Sequence, residues 1–212
     1  MVRITTISAA LLAACLIASQ AQALPGGPLR FTVLRDGHEI GTHRIDVKRS
    51  GDETRVDIAT NVAVKLAFVT VYRFEHDGHE IWRNDRLVKI DSKTDDDGTG
   101  KSLHGALDGK GLAIDGSAQK FVAEPAIVPA SLWNPRIVEQ GRLLNTLDGS
   151  EMEVNVAFVG EEKVAVHGTP VPARHYAITG QLQREVWFDA DGTLVQVRFK
   201  ASDDSDIRYV LE

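Results

Sequence analysis

The sequence predicts an all-β fold, an antiparallel meander of about a dozen strands that forms a closed or half-open barrel with one short helix in a long connection. Three observations support this prediction. Asp-Gly pairs recur along the chain, the segments between them alternate apolar and polar residues, and no long helical periodicity competes with that alternation. The 212 residues are sufficient for one domain with a substantial core.

The Asp-Gly pairs indicate hairpin turns. Asp followed by Gly suits a type I′ turn because both residues tolerate its positive φ angles. The pairs occupy residues 36–37, 77–78, 97–98, 108–109, 115–116, 148–149 and 191–192. We therefore expect most strands to be joined by short turns.

The alternation indicates strands with one buried and one solvated face. Segments 54–64, 151–159 and 194–201 each place apolar side chains at every second position, as Val154, Val156 and Phe158 show in the second of them. Twisted sheets of this many strands tend to curl or close. This property favours a barrel over a flat sheet.

A connection at residues 124–147 separates two predicted strand sets, residues 29–123 and 151–212, within one domain that spans residues 24–212. Asn134 before Pro135 is typical of a helix start, with Asn as the cap and Pro at the first helical position, and Gly141 is a suitable stop. A long connection of this kind can be a functional lid, or a plug that seals one end of a barrel.

The first 23 residues predict a secretory signal peptide. Arg3 supplies the positive charge, a small and apolar run follows, and Ala21-Gln22-Ala23 fits a signal peptidase site. Cleavage near Ala23 would leave a periplasmic or secreted protein without cysteine. The alternative is a lipoprotein anchored through Cys15, although the apolar run continues past that residue.

Composition argues against several classes of function. A net charge of −6 without a basic cluster argues against nucleic-acid binding and adsorption to anionic lipid. His76 and His79 would point to opposite faces of a strand, so we do not expect them to form a metal site. The sequence contains no motif that predicts a cofactor or catalytic residues. Predicted strands of mostly seven to nine residues and an aromatic content of 6% argue against an integral outer-membrane barrel.

Two hairpin-like segments, residues 80–90 and 185–197, share the order Glu, aliphatic, Trp, acidic or amide turn, and Leu-Val. Trp82 and Trp187 occupy matching places, and Tyr72 and Tyr176 precede them by similar intervals. The pattern is consistent with a duplicated hairpin whose tryptophans face one cavity. It is equally consistent with two unrelated hairpins, because cross-strand packing favours aromatic and aliphatic residues at these positions in any hairpin.

Several segments resemble an exported proteobacterial family that is classed only as a domain of unknown function. They are residues 31–45, 71–98, 129–134, 184–195 and 204–211, and the resemblance extends over nearly all of residues 24–212. It implies an all-β fold and no known activity. More loosely, the chain is similar to periplasmic barrels that carry lipids or lipoproteins in an apolar concavity covered by a helix.

We therefore expect a periplasmic protein that binds or carries an apolar or amphipathic ligand in a barrel cavity. The expected lining residues are Tyr72, Trp82, Tyr176 and Trp187, with Trp133 in a lid and with Arg73 and Arg174 available for an anionic headgroup. One alternative is a packed barrel that acts as an accessory or interaction module with an envelope protein partner. The other is a hydrolase-type enzyme on the same barrel.

Overall fold

A computed structural model of the chain describes residues 27–124 and 126–212. The predicted signal peptide, with Cys15 and the Ala21-Gln22-Ala23 site, lies outside these residues. The first strand set comprises β1 Gly27–Arg35, β2 His38–Ser50, β3 Glu53–Leu66, β4 Val69–Arg83, β5 Arg86–Asp96, β6 Thr99–Leu107, β7 Leu112–Gly116 and β8 Lys120–Ala123. The connection contains β9 Val128–Pro129, a 3-10 helix η1 Pro135–Glu139 and β10 Arg142–Leu144. The second set comprises β11 Glu151–Val166, β12 Thr169–Gly180, β13 Arg184–Phe188, β14 Leu194–Lys200 and β15 Asp206–Leu211.

The fold is all-β, as predicted, and it is an open barrel rather than a closed one. The fifteen described strands form one sheet in the order β8-β7-β6-β5-β4-β3-β2-β1-β15-β14-β13-β12-β11-β10-β9. Pairing of β1 with β15 joins the two strand sets, and every pair is antiparallel except β9 with β10. β11 returns to contact β14 and β15, so this half of the sheet curls on itself.

Several turn predictions are confirmed and two are wrong. Asp115-Gly116 ends β7, and the chain turns only at residues 117–119. Asp36-Gly37 and Asp97-Gly98 form hairpin turns with positive φ at both residues. Asp77-Gly78 instead lies inside β4, because that strand pairs continuously with β3 on one side and β5 on the other. Several strands are also longer than the predicted seven to nine residues: β4 has 15 residues and β11 has 16.

The connection contains the expected helix start, although the helix is only one 3-10 turn. The side chain of Asn134 accepts a hydrogen bond from the backbone N–H of Arg136 at 3.0 Å, and Pro135 occupies the first helical position. The helix ends at Glu139 rather than at Gly141. Ser92 Oγ in β5 donates to the Thr146 carbonyl at 2.5 Å and attaches the end of the connection to the sheet.

Strand register divides the side chains between two faces. The inner face carries the largest buried residues of the first set and of the β13–β15 region, among them Phe31, Ile45, Val56, Ile90 and Val186. The opposite, outer face is mainly polar.

Among the described residues, no helix is long and apolar enough to cross a membrane.

Candidate functional site

The inner face contains a cleft of about 730 Å³ at the end of the barrel where β3 turns into β4. It lies between the flank formed by β3 and β4 and the flank formed by β13, with β1, β2, β14 and β15 between them. Its apolar lining comprises Val33, Ile40, Val62, Val64, Val71, Phe74, Leu147, Phe199, Ala201 and Ile207. In this cleft apolar residues from both strand sets meet several ionisable side chains.

Arg184 is the central cation of the cleft. It begins β13 and shares the inner face with Val186 and Phe188, because alternate residues of a strand point the same way. Its guanidinium carbon lies 3.7 Å from the centre of the Phe199 ring, a cation–π contact. Burial lowers the pKa of Arg184, and its one described hydrogen bond runs from Nη1 to the carbonyl of Gln183 at 2.7 Å.

The other charged residues that line the cleft have partners. Tyr72 Oη donates to Asp96 Oδ1 at 2.9 Å, and Lys101 Nζ donates to Asp96 Oδ2 at the same distance. The bond to Lys101 is the main reason that the pKa of Asp96 lies below its usual range. Arg35 forms an ion pair with Asp203 at the rim. These groups therefore neutralise one another.

Two buried imidazoles are adjacent to the cleft lining. His43 Nδ1 lies 2.7 Å from Thr60 Oγ1, and its ring is 5.1 Å from that of Tyr209, which lines the cleft. His76 Nδ1 lies 2.9 Å from Thr94 Oγ1. Burial lowers the pKa of His43 to about 3 and that of His76 to about 4, so both imidazoles are neutral at pH 7.

A second cluster, centred on Glu80, lies in the packed core. Trp82 Nε1 and Trp133 Nε1 both donate to Glu80 Oε2, at 2.8 and 2.9 Å, and the two indole rings meet edge to face with centroids 5.7 Å apart. Burial raises the pKa of Glu80. The structure thus brings two of the predicted residues together, but neither lines the cleft. Instead they fix the connection to the sheet.

Trp187 and Tyr176 occupy different faces. Trp187 stacks on His175 with ring centroids 4.0 Å apart, and both belong to the face opposite Val186. Tyr176 lies on the inner face and contacts Phe158, with ring centroids 5.5 Å apart. The predicted cavity shared by matching tryptophans is therefore wrong, because Trp82 points to the inner face and Trp187 to the outer.

Of the seven predicted ligand-binding residues, only Tyr72 lines the cleft. Arg73 follows it on the outer face, is exposed and pairs with Glu75. Arg174 is half-buried on the inner face, where it pairs with Phe188. It lies four residues along β12 from Ile178, the strand partner of Arg184, which is a distance of about 13 Å by strand geometry. The aromatic residues therefore give poor guidance to the site.

Sequence reasoning missed Arg184, although a signal for it exists. Arg184, Val186 and Phe188 form an alternating pattern in which the arginine occupies an apolar position. Glu80 carries the same signal, two residues before the buried Trp82. In both cases an ionisable residue occupies a strand position where the alternation predicts a buried apolar side chain, and this feature indicates both clusters.

Histidine and aspartate alternate on the outer face without forming a metal centre. His79 Nδ1 lies 2.8 Å from Asp57, and His104 Nδ1 lies 2.5 Å from Asp91. His79 is exposed, whereas His76 is buried on the inner face, as strand alternation requires. Within residues 27–124 and 126–212, no three His, Cys, Asp or Glu side chains are placed to hold a metal ion.

Comparison with known proteins shows the family but no activity. A comparison with curated proteins found no match. A family model matches residues 31–212, which include almost all of the sheet and the whole cleft. The chain therefore belongs to the family described as Domain of unknown function (DUF6134).

Proposed function

We propose that this protein binds an apolar or amphipathic small molecule in the cleft between the β3–β4 flank and β13. The observation that carries the proposal is an open cleft of about 730 Å³ on the inner face, whose lining combines ten apolar residues with charged and hydroxyl groups. Ligand sites for small molecules are typically clefts of about 300–1,000 Å³ with apolar walls and a few polar groups. A packed barrel would have filled this space with side chains.

The same ligand class fits the looser similarity to periplasmic carrier barrels, which is an analogy of fold. We place the protein in the periplasm, exported with cleavage near Ala23, or alternatively anchored through Cys15. Mass spectrometry of the mature protein distinguishes a chain that starts at Leu24 from one that starts at a lipidated Cys15. In either case the cleft would meet ligands of the cell envelope.

The connection contributes to this site as a fixed wall. Leu147 lines the cleft, and the bond from Ser92 to Thr146 holds the preceding residue on β5. Trp133 is completely buried against Glu80 and has no side-chain surface for a ligand. We therefore assign the connection the role of a plug, and ligand entry to the opening beside Val71.

Substitution at the opening tests the proposal. Val71 lines the cleft and is 51% exposed, so Val71→Trp adds an indole at the opening without disturbing the core. We expect this variant to bind N-phenyl-1-naphthylamine, a dye that fluoresces in apolar sites, about tenfold more weakly than the wild type. The free energy of unfolding should change by no more than about 0.5 kcal/mol, because Val71 is on the surface.

Val159→Trp is the matched control. Val159 is 55% exposed, also lies in a strand, and is not part of the cleft lining. It should leave dye binding unchanged. Absence of dye binding by the wild type, together with a ligand-free mass in gentle native mass spectrometry, would refute the proposal.

An interaction module is the second candidate, and exposed apolar residues at one hairpin favour it. Leu66, Phe68 and Val69 project at the β3–β4 turn, and Phe68 is fully exposed. Exposed apolar patches commonly mark protein contacts. A photo-crosslinking amino acid in place of Phe68, in the native host, should then capture one defined envelope protein. The control is the same substitution at Val122, an exposed residue of β8, and it should capture none.

A further inference from the structure

We propose that the ligand of the cleft carries an anionic headgroup, a carboxylate or a phosphate, which binds the guanidinium of Arg184. The inference rests on the proposed function, since it specifies the polar end of the ligand that the cleft would hold. Neither Arg73 nor Arg174, the arginines that the sequence suggests for this role, lies in the cleft lining.

The first argument is the charge balance of the lining. Arg35 pairs with Asp203, and Asp96 is bound by Lys101 and Tyr72. Lys200 lies 3.8 Å from Asp206, which also pairs with Arg198 and Arg208, but the Lys200 side chain is exposed and its charge is solvated. Arg184 is the lining cation that no carboxylate of the described residues neutralises. A mostly buried charge without a counter-ion is costly, and the cost falls when an anion binds beside it.

The second argument is the geometry of the guanidinium. The guanidinium carbon lies 3.7 Å from the centre of the Phe199 ring, and the Gln183 carbonyl accepts from one of the five N–H donors of Arg184. The remaining donors lie along the edge of the planar group. Such an edge matches the paired oxygens of a carboxylate or phosphate, which arginine binds through two parallel hydrogen bonds.

The third argument is the distance between Arg184 and the apolar residues of the opposite flank. Arg184 lies on the β13 flank, whereas Val62, Val64 and Phe74 lie on the β3–β4 flank, with four strands between the two; the one carboxylate beside them, Asp96, is bound by Tyr72 and Lys101. A ligand with its anion on Arg184 would direct an apolar tail towards that aliphatic wall. The cleft therefore suits an anionic amphiphile better than a wholly apolar molecule.

A series of ligands with the same twelve-carbon chain tests the inference. Dodecanoate, dodecyl phosphate, dodecanol and dodecyltrimethylammonium are compared by displacement of N-phenyl-1-naphthylamine, below their micelle-forming concentrations. We expect at least one anion to bind about tenfold or more tightly than dodecanol, and the cation to bind most weakly. The ratio of dodecanoate to dodecyl phosphate affinity distinguishes a fatty-acid-like headgroup from a phosphate one.

Arg184→Gln should abolish the preference for anions while dodecanol still binds. Arg184→Lys should retain part of it, because the charge remains and the paired geometry is lost. Arg55→Gln is the control, since Arg55 is an exposed arginine that pairs with Glu53 outside the cleft, and it should behave as wild type. Equal affinities for dodecanol and both anions, unchanged in Arg184→Gln, would overturn the inference and leave the proposed function intact.

A measurement on the wild-type protein covers the case in which the Arg184 variants do not fold. The carboxyl carbon of bound [1-¹³C]dodecanoate reports its own protonation by NMR. Contact with Arg184 should keep the bound carboxylate ionised below about pH 4, the ordinary range of an exposed carboxyl. A bound ligand that becomes protonated above that range would contradict the inference, and failure of all four probes to bind would contradict the proposed function itself.

Discussion

Glu80 is a buried carboxylate whose main partners are two indole N–H groups, and its position between β4 and the connection gives it a structural role. Trp82 comes from the same strand as Glu80, and Trp133 comes from the connection. Glu80 Oε1 and the hydroxyl of Ser131 have no hydrogen-bond partner among the described residues. One oxygen atom therefore holds two aromatic rings together, while the rest of the carboxylate is poorly satisfied.

The raised pKa of Glu80 predicts a stability cost at neutral pH. The folded protein holds the proton more tightly than the unfolded chain, so the free energy of unfolding falls as pH rises above about 4.5 through the folded pKa. Glu80→Gln keeps an oxygen acceptor for both indoles and removes this titration. In urea unfolding, we expect the variant to be at least as stable as the wild type at pH 7.5, and its stability relative to the wild type should be greater at pH 7.5 than at pH 4.5.

Glu80→Ala provides the contrasting variant. It leaves two buried indole N–H groups without an acceptor, and each such group costs about 1–3 kcal/mol. We therefore expect a loss of about 3 kcal/mol or more at either pH. If Glu80→Gln were destabilised as much as Glu80→Ala, the carboxylate charge itself would be the stabilising feature, contrary to this interpretation.

At the scale of elements, alternation and turn chemistry were sufficient to predict strands, and they were insufficient where pairing overrode local preference. Asp77-Gly78 has a strong turn propensity, yet β4 continues through it because both of its edges are paired over this stretch. The helix cap at Asn134 is a local feature, and the structure confirms it. The length of the helix depends on packing, and only one turn forms.

The candidate site was harder to predict than the strands for the same reason. Alternation shows that Arg184 shares a face with Val186 and Phe188, but not which face becomes the inside of the barrel. The cleft lies between flanks of two strand sets that are joined by pairing of β1 with β15, which are far apart in sequence. The absence of a carboxylate beside Arg184 is likewise a property of three-dimensional neighbours. Large aromatics were the more visible signal, and most of them fill the core.

At the scale of the whole molecule, the two strand sets share a polar layer beneath the cleft. His43 of β2 contacts Phe31 and Tyr209, which belong to β1 and β15, and thus lies where the two sets join. His76 of β4 is close enough to His43 to disfavour its protonation. Because burial disfavours the protonated form of both imidazoles, acidification should destabilise the junction between the two strand sets.

The depressed histidine pKa values predict loss of stability on acidification. The unfolded chain binds protons at about pH 6.5 and the folded chain only near pH 3 for His43 and pH 4 for His76, so stability is complete above pH 6.5 and falls below it. At pH 5 each imidazole should cost up to about 2 kcal/mol. The measurement is urea unfolding at half-unit steps from pH 7.5 to pH 4.5.

Histidine variants separate this effect from general acid denaturation. His43→Gln and His76→Gln should each reduce the slope of unfolding free energy against pH between 6.5 and 5 by about half, whatever their stability at pH 7.5. His38→Gln, at an exposed histidine that begins β2, is the control and should retain the wild-type slope. An unchanged slope in both buried variants would show that the acid sensitivity arises elsewhere. A reduced slope would place it at the junction of the two strand sets, next to Tyr209 and the cleft wall.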